Sequence, residues 1–437
     1  MFFTDFDLVF WVQSLFRETR RPESQHAATR PKPQPAKFQS ITTSVRTSGA
    51  DSTPTALKWK WQYDSKARLS QILGPGGAST RIAYTESEAE PHAAVPGAQQ
   101  RLFRSDARGR LLSAEGAKGK LAIVYHASGM PAEVRGDGAP AIRYEYHGQD
   151  RLTQTRIGKR AAIRYRYDYL GRLTAITTPA GEITYDYHRA TNTIVRHLPN
   201  GMQTFRRYDD EGKLAKLTHA DSKNRIVAEY AYSYRPDGLI EGIGEISQRT
   251  GERSHRYQYD LMQRLIAVHG EDGERSYSYR YDSLGNLEES RTSDGQSLQL
   301  TSGATGILSS DSRGISRADA RGHIRPLPGA ADSIDYDFNS AGELEEAKGQ
   351  NVRYSYNALG LLTARTIGGR QTRYLPDPFA DAWQPLWRRD ADGSEALIIW
   401  DGAVPLVEFR DGAVRYRLED YLGSARVELD ESGHITA

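Results

Sequence analysis

Apolar and charged side chains alternate along Ile163-Arg164-Tyr165-Arg166-Tyr167. A period of two is the signature of a strand with one buried face. Asp168 then opens a turn, since its carboxylate can bond nearby backbone N–H groups. Gly171 supplies the backbone freedom to finish the turn, and Leu173 begins the return strand. A second turn follows at Thr178-Pro179-Ala180-Gly181, and Ile183-Thr184-Tyr185-Asp186-Tyr187 starts the pattern again. One copy later the second turn reads Leu198-Pro199-Asn200-Gly201, which carries an Asn-Gly hairpin signal. The pattern predicts hairpin after hairpin in one long antiparallel ribbon.

The unit recurs. Tyr165 to Leu173 reads Tyr-Arg-Tyr-Asp-Tyr-Leu-Gly-Arg-Leu, with Tyr167, Asp168, Gly171, Arg172 and Leu173 as its defining positions. Related copies carry Tyr63-Asp64, Tyr146-His147, Tyr208-Asp209, Tyr259-Asp260 and Tyr281-Asp282, the last continuing to Gly285. Weaker copies carry Tyr125-His126, Tyr187-His188, Tyr234-Arg235, Phe338-Asn339 and Tyr356-Asn357. The tyrosines at 125, 146, 167, 187 and 208 are separated by 21, 21, 20 and 21 residues. A constant period of this length marks a repeat architecture in which each hairpin buries its face only against its neighbours. The expected fold is all-β: tandem hairpins in a long coiled antiparallel sheet, a partial β-shell lined by Tyr, Ile and Leu. Tyr165 and Tyr167 should be more buried than Arg164 and Arg166.

Composition agrees. Tyr contributes 25 residues against 11 Phe, and Gly contributes 40, which suits short strands and tight turns. The 58 basic and 56 acidic residues nearly cancel and are spread along the chain, so no nucleic-acid footprint stands out. The absence of cysteine excludes disulfides, thiolate metal sites and a Cys nucleophile. Met1 to Phe16 is apolar but short and is interrupted by Asp5 and Asp7, which fits neither a signal peptide nor a spanning helix. The Pro-rich run Arg30 to Pro35 and the Ser/Thr-rich stretch after it make residues 1–55 read as a disordered or linker-like segment.

The repeat resembles the YD repeats of the RHS (rearrangement hot spot) family, whose pattern Tyr-Asp-x-x-Gly-Arg-Leu is met in full at 167–173. The resemblance covers about residues 57–437. Near the C-terminus, Leu418-Glu419-Asp420-Tyr421-Leu422-Gly423-Ser424-Ala425-Arg426 looks like the opening of the family's core-associated region, with Asp420, Leu422, Gly423 and Ser424 as its motif. The implied organisation is a linker at 1–55, a repeat shell at 56–415 and a truncated core-associated start at 416–437. Related shells occur in the C component of insecticidal toxin complexes and in teneurins. The resemblance implies a structural shell of a polymorphic toxin, encapsulating or presenting a C-terminal toxic cargo, and exported from a bacterial cell. Its implied partners are that cargo or a neighbouring shell segment, with an immunity or delivery protein besides; neither nucleic acid nor stable membrane insertion is expected. The family's autoproteolytic Asp-Pro-x-Gly motifs are not met: Asp377-Pro378 is followed by Phe379-Ala380.

Little else points to chemistry. Three of the 11 histidines, His126, His147 and His188, fill the Asp slot of the repeat, and the turn aspartates account for many carboxylates. No phosphate loop and no Gly-x-Ser-x-Gly elbow occurs. Trp383, Trp387 and Trp400 offer either a core plug or a sugar platform. The expectation is a protein without catalysis, cofactor or metal; the alternative is a surface-binding module recognising glycans or a partner protein.

Overall fold

The computed structural model describes residues 40–436, apart from 50–51, 67, 74–78, 85–99, 107, 137, 149–150, 160, 272, 303–307, 312–315, 319–323, 327–334, 340–341 and 381. The described residues are strand and turn almost throughout, and their one helical element is the single 3-10 turn Arg189–Thr191. The chain divides into two compact units. The first comprises Met1–Pro140, Ser302–Ser310 and Gly314–Arg373; the second comprises Ala141–Thr301, Asp311–Arg313 and Tyr374–Ala437.

In the first unit, strands pair in chain order from Ser40–Gly49 and Ser52–Tyr63 to Gly119–Tyr125 and Pro131–Gly136. Pairing thus begins at Ser40, inside the segment that composition reads as linker; residues 1–39 lie outside the described residues. One step departs from the antiparallel rule: Ser79–Tyr84 pairs in parallel with Gln100–Ser105. A parallel step needs a long connection instead of a tight hairpin, and residues 85–99 supply it. Later strands Asp335–Phe338, Leu344–Lys348, Val352–Tyr356 and Leu362–Ile367 belong to the same unit. Lys118 bridges to Glu345 at 2.7 Å, and Arg101 pairs with Glu343.

The second unit holds the long run of repeats, paired strand to strand from Ile142–His147 to Ser297–Ser302. Its core side is built by the predicted alternation: Ile163, Ile176, Ile183 and Tyr185 are buried, as are Leu217 and Tyr230. Tyr165 and Tyr167 are half-buried while Arg164 and Arg166 are exposed, the expected assignment of faces. A second meander, Pro385–Arg389, Glu395–Asp401, Val404–Arg410, Ala413–Glu419 and Ala425–Leu429, completes the unit. Here Ala396 to Ile399 is buried at four consecutive residues, so both faces of that strand are covered.

The turns at Asp168 and its counterparts share one construction. In the copy at Asp168, the Gly171 N–H donates to the Asp168 carbonyl at 2.9 Å and the Asp168 N–H to the Arg172 carbonyl at 2.9 Å. Gly171 adopts φ 82°, which makes a type I turn closed by a left-handed residue, with a bulge where Tyr167 meets Leu173. The Asp168 carboxylate accepts from the Leu170 and Arg172 N–H groups at 3.0 and 2.9 Å and from Arg172 Nε at 2.7 Å. The Leu198 turn corrects the Asn-Gly expectation. Only Gly201 has positive φ, and Pro199 sits at the second position of a type I turn, where its fixed φ belongs. A two-residue mirror-image turn would require positive φ at Asn200 as well.

At the Asp260 copy the glycine rule is broken: Gln263 occupies the left-handed position with φ 61°. That conformation costs an L-residue about 1–2 kcal/mol, offset in part by the greater unfolded freedom of glycine. Gln263→Gly is therefore expected to stabilise the protein by about 0.5–1 kcal/mol. Thermal denaturation should show a raised midpoint; a lowered midpoint would contradict the turn assignment.

Candidate functional site

The sequence-predicted residues resolve into a relay between consecutive repeats. The carboxylate of the turn Asp holds the backbone of its own turn, and in four copies the basic residue four positions on reaches over the key Tyr of the next repeat. Arg172 lies 4.3 Å from the Tyr187 ring centroid, Arg110 4.7 Å from Tyr125, Arg264 4.7 Å from Tyr281 and Lys213 5.5 Å from Tyr234. The same tyrosines donate their hydroxyls to the carbonyl just after that basic residue: Tyr187 to Leu173, Tyr125 to Leu111, Tyr281 to Leu265 and Tyr234 to Leu214, all at 2.8–2.9 Å. Tyr259 follows with a variation, since Arg235 from the Asp slot itself covers its ring at 5.7 Å and Ile240 accepts its hydroxyl. The Tyr-Asp dipeptide is thus a junction: its Tyr closes the preceding turn and its Asp builds the next.

Asp64 and Asp260 repeat the Asp168 arrangement with Arg68 and Arg264, and Asp282 does so with Asn286. Asp209 caps its turn through the Glu211 and Lys213 N–H groups. The Arg264 and Met262 N–H groups and the Arg264 guanidinium hold the Asp260 carboxyl below its ordinary range. Tyr63 and Tyr146 stand half-buried at strand ends. Asp106, which completes Asp-Ala-Arg-Gly-Arg-Leu, has the same bonds to Arg108 and Arg110, but Ser105 precedes it in place of Tyr and hides the copy. At the C-terminal motif, Asp420 accepts from the Leu422 and Ser424 N–H groups, Gly423 has φ 81°, and Arg426 Nε donates to the carboxylate at 2.7 Å. The C-terminal motif is, locally, one more repeat turn with its arginine two residues late.

The largest concentration of buried charge in the second unit lies where the C-terminal meander meets the repeats, and sequence reading missed it. Arg196, fully buried, donates to Asp401 Oδ2 at 2.7 Å, to Glu419 Oε2 at 2.8 Å and to Thr204 Oγ1 at 3.1 Å. Arg206 pairs with the other oxygen of Glu419. His219 Nε2 sits 2.8 Å from the Glu419 carbonyl and Nδ1 3.0 Å from Thr204 Oγ1. Burial alone would raise the Glu419 carboxyl, but the charges of Arg196, His219 and Arg206 override it and hold it at about 2. Burial pushes the His219 imidazole down to about 4. Both ring nitrogens of His219 are engaged, so the cluster offers neither a free base nor a nucleophile. A signal was available: Arg196 faces Tyr185 across the ladder, where Ile176 faces Tyr165 and Val268 faces Tyr257. An arginine in the apolar phase of a strand needs a buried anion.

Three further contacts fasten the same seam. Tyr144 donates to Asp377 at 2.7 Å and meets Phe379 edge-on, Tyr232 packs on Tyr421, and the Asn200 side chain reaches the Asp430 carbonyl at 3.5 Å. Asp377 also accepts the Phe379 N–H at 2.9 Å, a turn-capping role. The tryptophans form no shared platform: Trp387 is buried and bonded to Glu395, Trp400 donates to the Pro385 carbonyl, and Trp383 stands against Tyr374. Among the described residues no cluster of three His, Asp or Glu could hold a metal.

The cluster predicts acid lability of defined sign. The unfolded imidazole takes up its proton near 6.5 and the folded one only near 4, so the unfolded chain binds more protons between those values. Stability should fall as pH drops through that window, on the order of 1 kcal/mol per pH unit for this one group. Glu419, depressed to about 2 from 4.5, extends the loss below that. His219→Gln should flatten the slope between pH 6.5 and 4 in denaturant titrations. An unchanged slope would show that His219 is not buried neutral. Glu419→Gln should cost about 3–5 kcal/mol at neutral pH by stranding two guanidinium groups.

The teneurin YD-shell family matches the sequence at residues 45–194, 116–227 and 220–376. Among solved structures, the crystal structure of TcdB2-TccC3 aligns over 89% of this chain and 27% of that one, with 15% identity and a TM-score of 0.50. The TcdB2-TccC3-Cdc42 crystal structure aligns over 89% and 26%, with 14% identity and a TM-score of 0.46. The chain therefore spans about a quarter of the length of these solved chains, and the likeness concerns the fold. A search of curated proteins by sequence gives no match. With its matches running from residue 45 to residue 376 and its Tyr-Asp turns built alike throughout, the chain belongs to the teneurin YD-shell family of RHS-type repeat proteins.

Proposed function

We propose that the protein is a wall segment of an RHS-type shell, encapsulating or presenting a cargo attached beyond its C-terminal strands, and that it acts by architecture without catalysis. The observation that carries this reading is the seam: Glu419, one residue before the motif turn at Asp420, is locked by Arg196 and Arg206 onto the repeat sheet. Such a lock fixes the position from which a following domain would depart. The turn tips favour a second reading as a surface-binding module, since Leu261, Met262 and Leu284 are exposed at 103%, 76% and 68%.

The test fuses a small folded reporter enzyme after Ala437 and follows its digestion by protease. A wall segment should slow cleavage of the reporter several-fold relative to the free enzyme, without abolishing it. Arg196→Gln, which loosens the seam, should restore most of the free rate. Cleavage at the free rate in a fusion whose repeats remain folded would remove encapsulation and leave the surface-binding reading.

A further inference from the structure

The relay that covers Tyr125, Tyr187, Tyr234 and Tyr281 is absent at Tyr208. Arg110, Arg172, Lys213 and Arg264 supply the cation for the tyrosine that follows them; the position facing Tyr208 is Asn192, whose carbonyl instead accepts the Tyr208 N–H at 2.9 Å. The reason is local. The turn before Tyr208 has His188 where the turns that supply Arg110, Arg172, Lys213 and Arg264 have Asp, and the chain passes through the 3-10 turn Arg189–Thr191 into a left-handed Asn192 at φ 47°. Among the described residues, no cation stacks on the Tyr208 ring and no acceptor takes its hydroxyl. A pocket of about 320 Å³ opens to solvent beside it, lined by Tyr208, Tyr187, Asn192, Asp209 and Asp210, with Arg189 also on its wall. That volume lies at the lower end of the range for small-ligand sites.

We infer that this pocket seats an arginine side chain of a partner polypeptide, its guanidinium lying on the Tyr208 ring in the place that the protein's own Arg or Lys fills at Tyr125, Tyr187, Tyr234 and Tyr281. The chemistry matches on both counts. An aromatic face left without its cation is the surface a guanidinium stacks on, and the planar fork can donate to a carboxylate while it stacks. Asp209 Oδ1 is engaged with its own turn, which leaves Oδ2 and the exposed Asp210 carboxylate to accept. The Arg172 charge is already met by Asp168 at 2.7 Å. The two acidic groups therefore outweigh Arg189, and the pocket carries a net negative charge.

The experiment titrates the full chain with an N-acetylated, C-amidated Gly-Arg-Gly peptide and with the same peptide carrying citrulline, an uncharged near-isostere, followed by ligand-observed nuclear magnetic resonance. The arginine peptide should bind at least tenfold more tightly than the citrulline peptide. Tyr208→Leu should abolish that preference, Tyr208→Phe should retain it, and Asp210→Asn should weaken binding several-fold. Arg189→Ala should strengthen it by removing a like charge. Melting temperatures of all variants establish that each remains folded; if Tyr208→Leu does not fold, Asp210→Asn and Arg189→Ala decide. Equal binding of the two peptides, no binding of either, or a preference unchanged by every folded variant would overturn the assignment. Since the readout involves no cargo, its outcome is independent of the shell reading.

Discussion

A guanidinium shared between two repeats is the interaction on which this architecture depends. A hairpin of two short strands cannot hold itself together in water, and at four junctions here one side chain fastens a hairpin to the next. Arg172 is pinned at one end by the Asp168 carboxylate and lies at the other over Tyr187, whose hydroxyl returns to the Leu173 carbonyl. The pairing explains why Tyr and Asp are adjacent in sequence: one residue completes the old turn and its neighbour begins the new one. Bulges fall at the key position of copy after copy, at Tyr63, Tyr125, Tyr167, Tyr208, Tyr234, Tyr259 and Tyr281. The extra twist of a bulge lets a periodic sheet curve without losing register.

The C-terminal meander follows a different rule. Its strand Glu395–Asp401 is buried on both faces, and its attachment to the repeats runs through buried ions. Arg196 and Arg206 against Asp401 and Glu419 balance in charge, and Thr204 bonds both Arg196 and His219. Such a cluster adds little net stability over an apolar core of the same volume, yet breaking any one member is costly. Its physical value is positional. Only one placement of the meander satisfies every charge, so the strand that ends at Glu419 has one seat. A second buried carboxylate, Glu408, held by Arg388 at 2.8 Å and Arg417 at 2.9 Å, fixes the meander internally in the same way.

The repeats were legible because their physics is local. Alternation set the strands, Asp and Gly set the turns, and the near-constant spacing of five tyrosines set the architecture. Where local signals misled, a neighbouring residue decided: Pro199 turned an Asn-Gly pair into a type I turn, and Ser105 hid the turn at Asp106 by replacing the tyrosine. The parallel step between Ser79–Tyr84 and Gln100–Ser105 carries no local mark at all. The seam was not legible, because Arg196 and Glu419 lie 223 residues apart and each looks ordinary in its own strand. Only the mismatch of Arg196 with the buried phase of its strand hinted at a distant partner. The setting of the turn at Asp420 was likewise beyond sequence, which shows the turn but not the glutamate beside it facing two arginines.

The central claim, that one arginine couples consecutive repeats, is tested most directly by a triple-mutant cycle of Asp168→Ala, Arg172→Met and Tyr187→Leu read by equilibrium unfolding. Asp168 and Tyr187 interact through Arg172, so the two substitutions should be non-additive by about 0.5–1 kcal/mol when Arg172 is present. That coupling should vanish in the Arg172→Met background. Additive effects of Asp168→Ala and Tyr187→Leu in the presence of Arg172 would contradict the account, and would mean that the repeats are joined by backbone pairing and apolar contact alone.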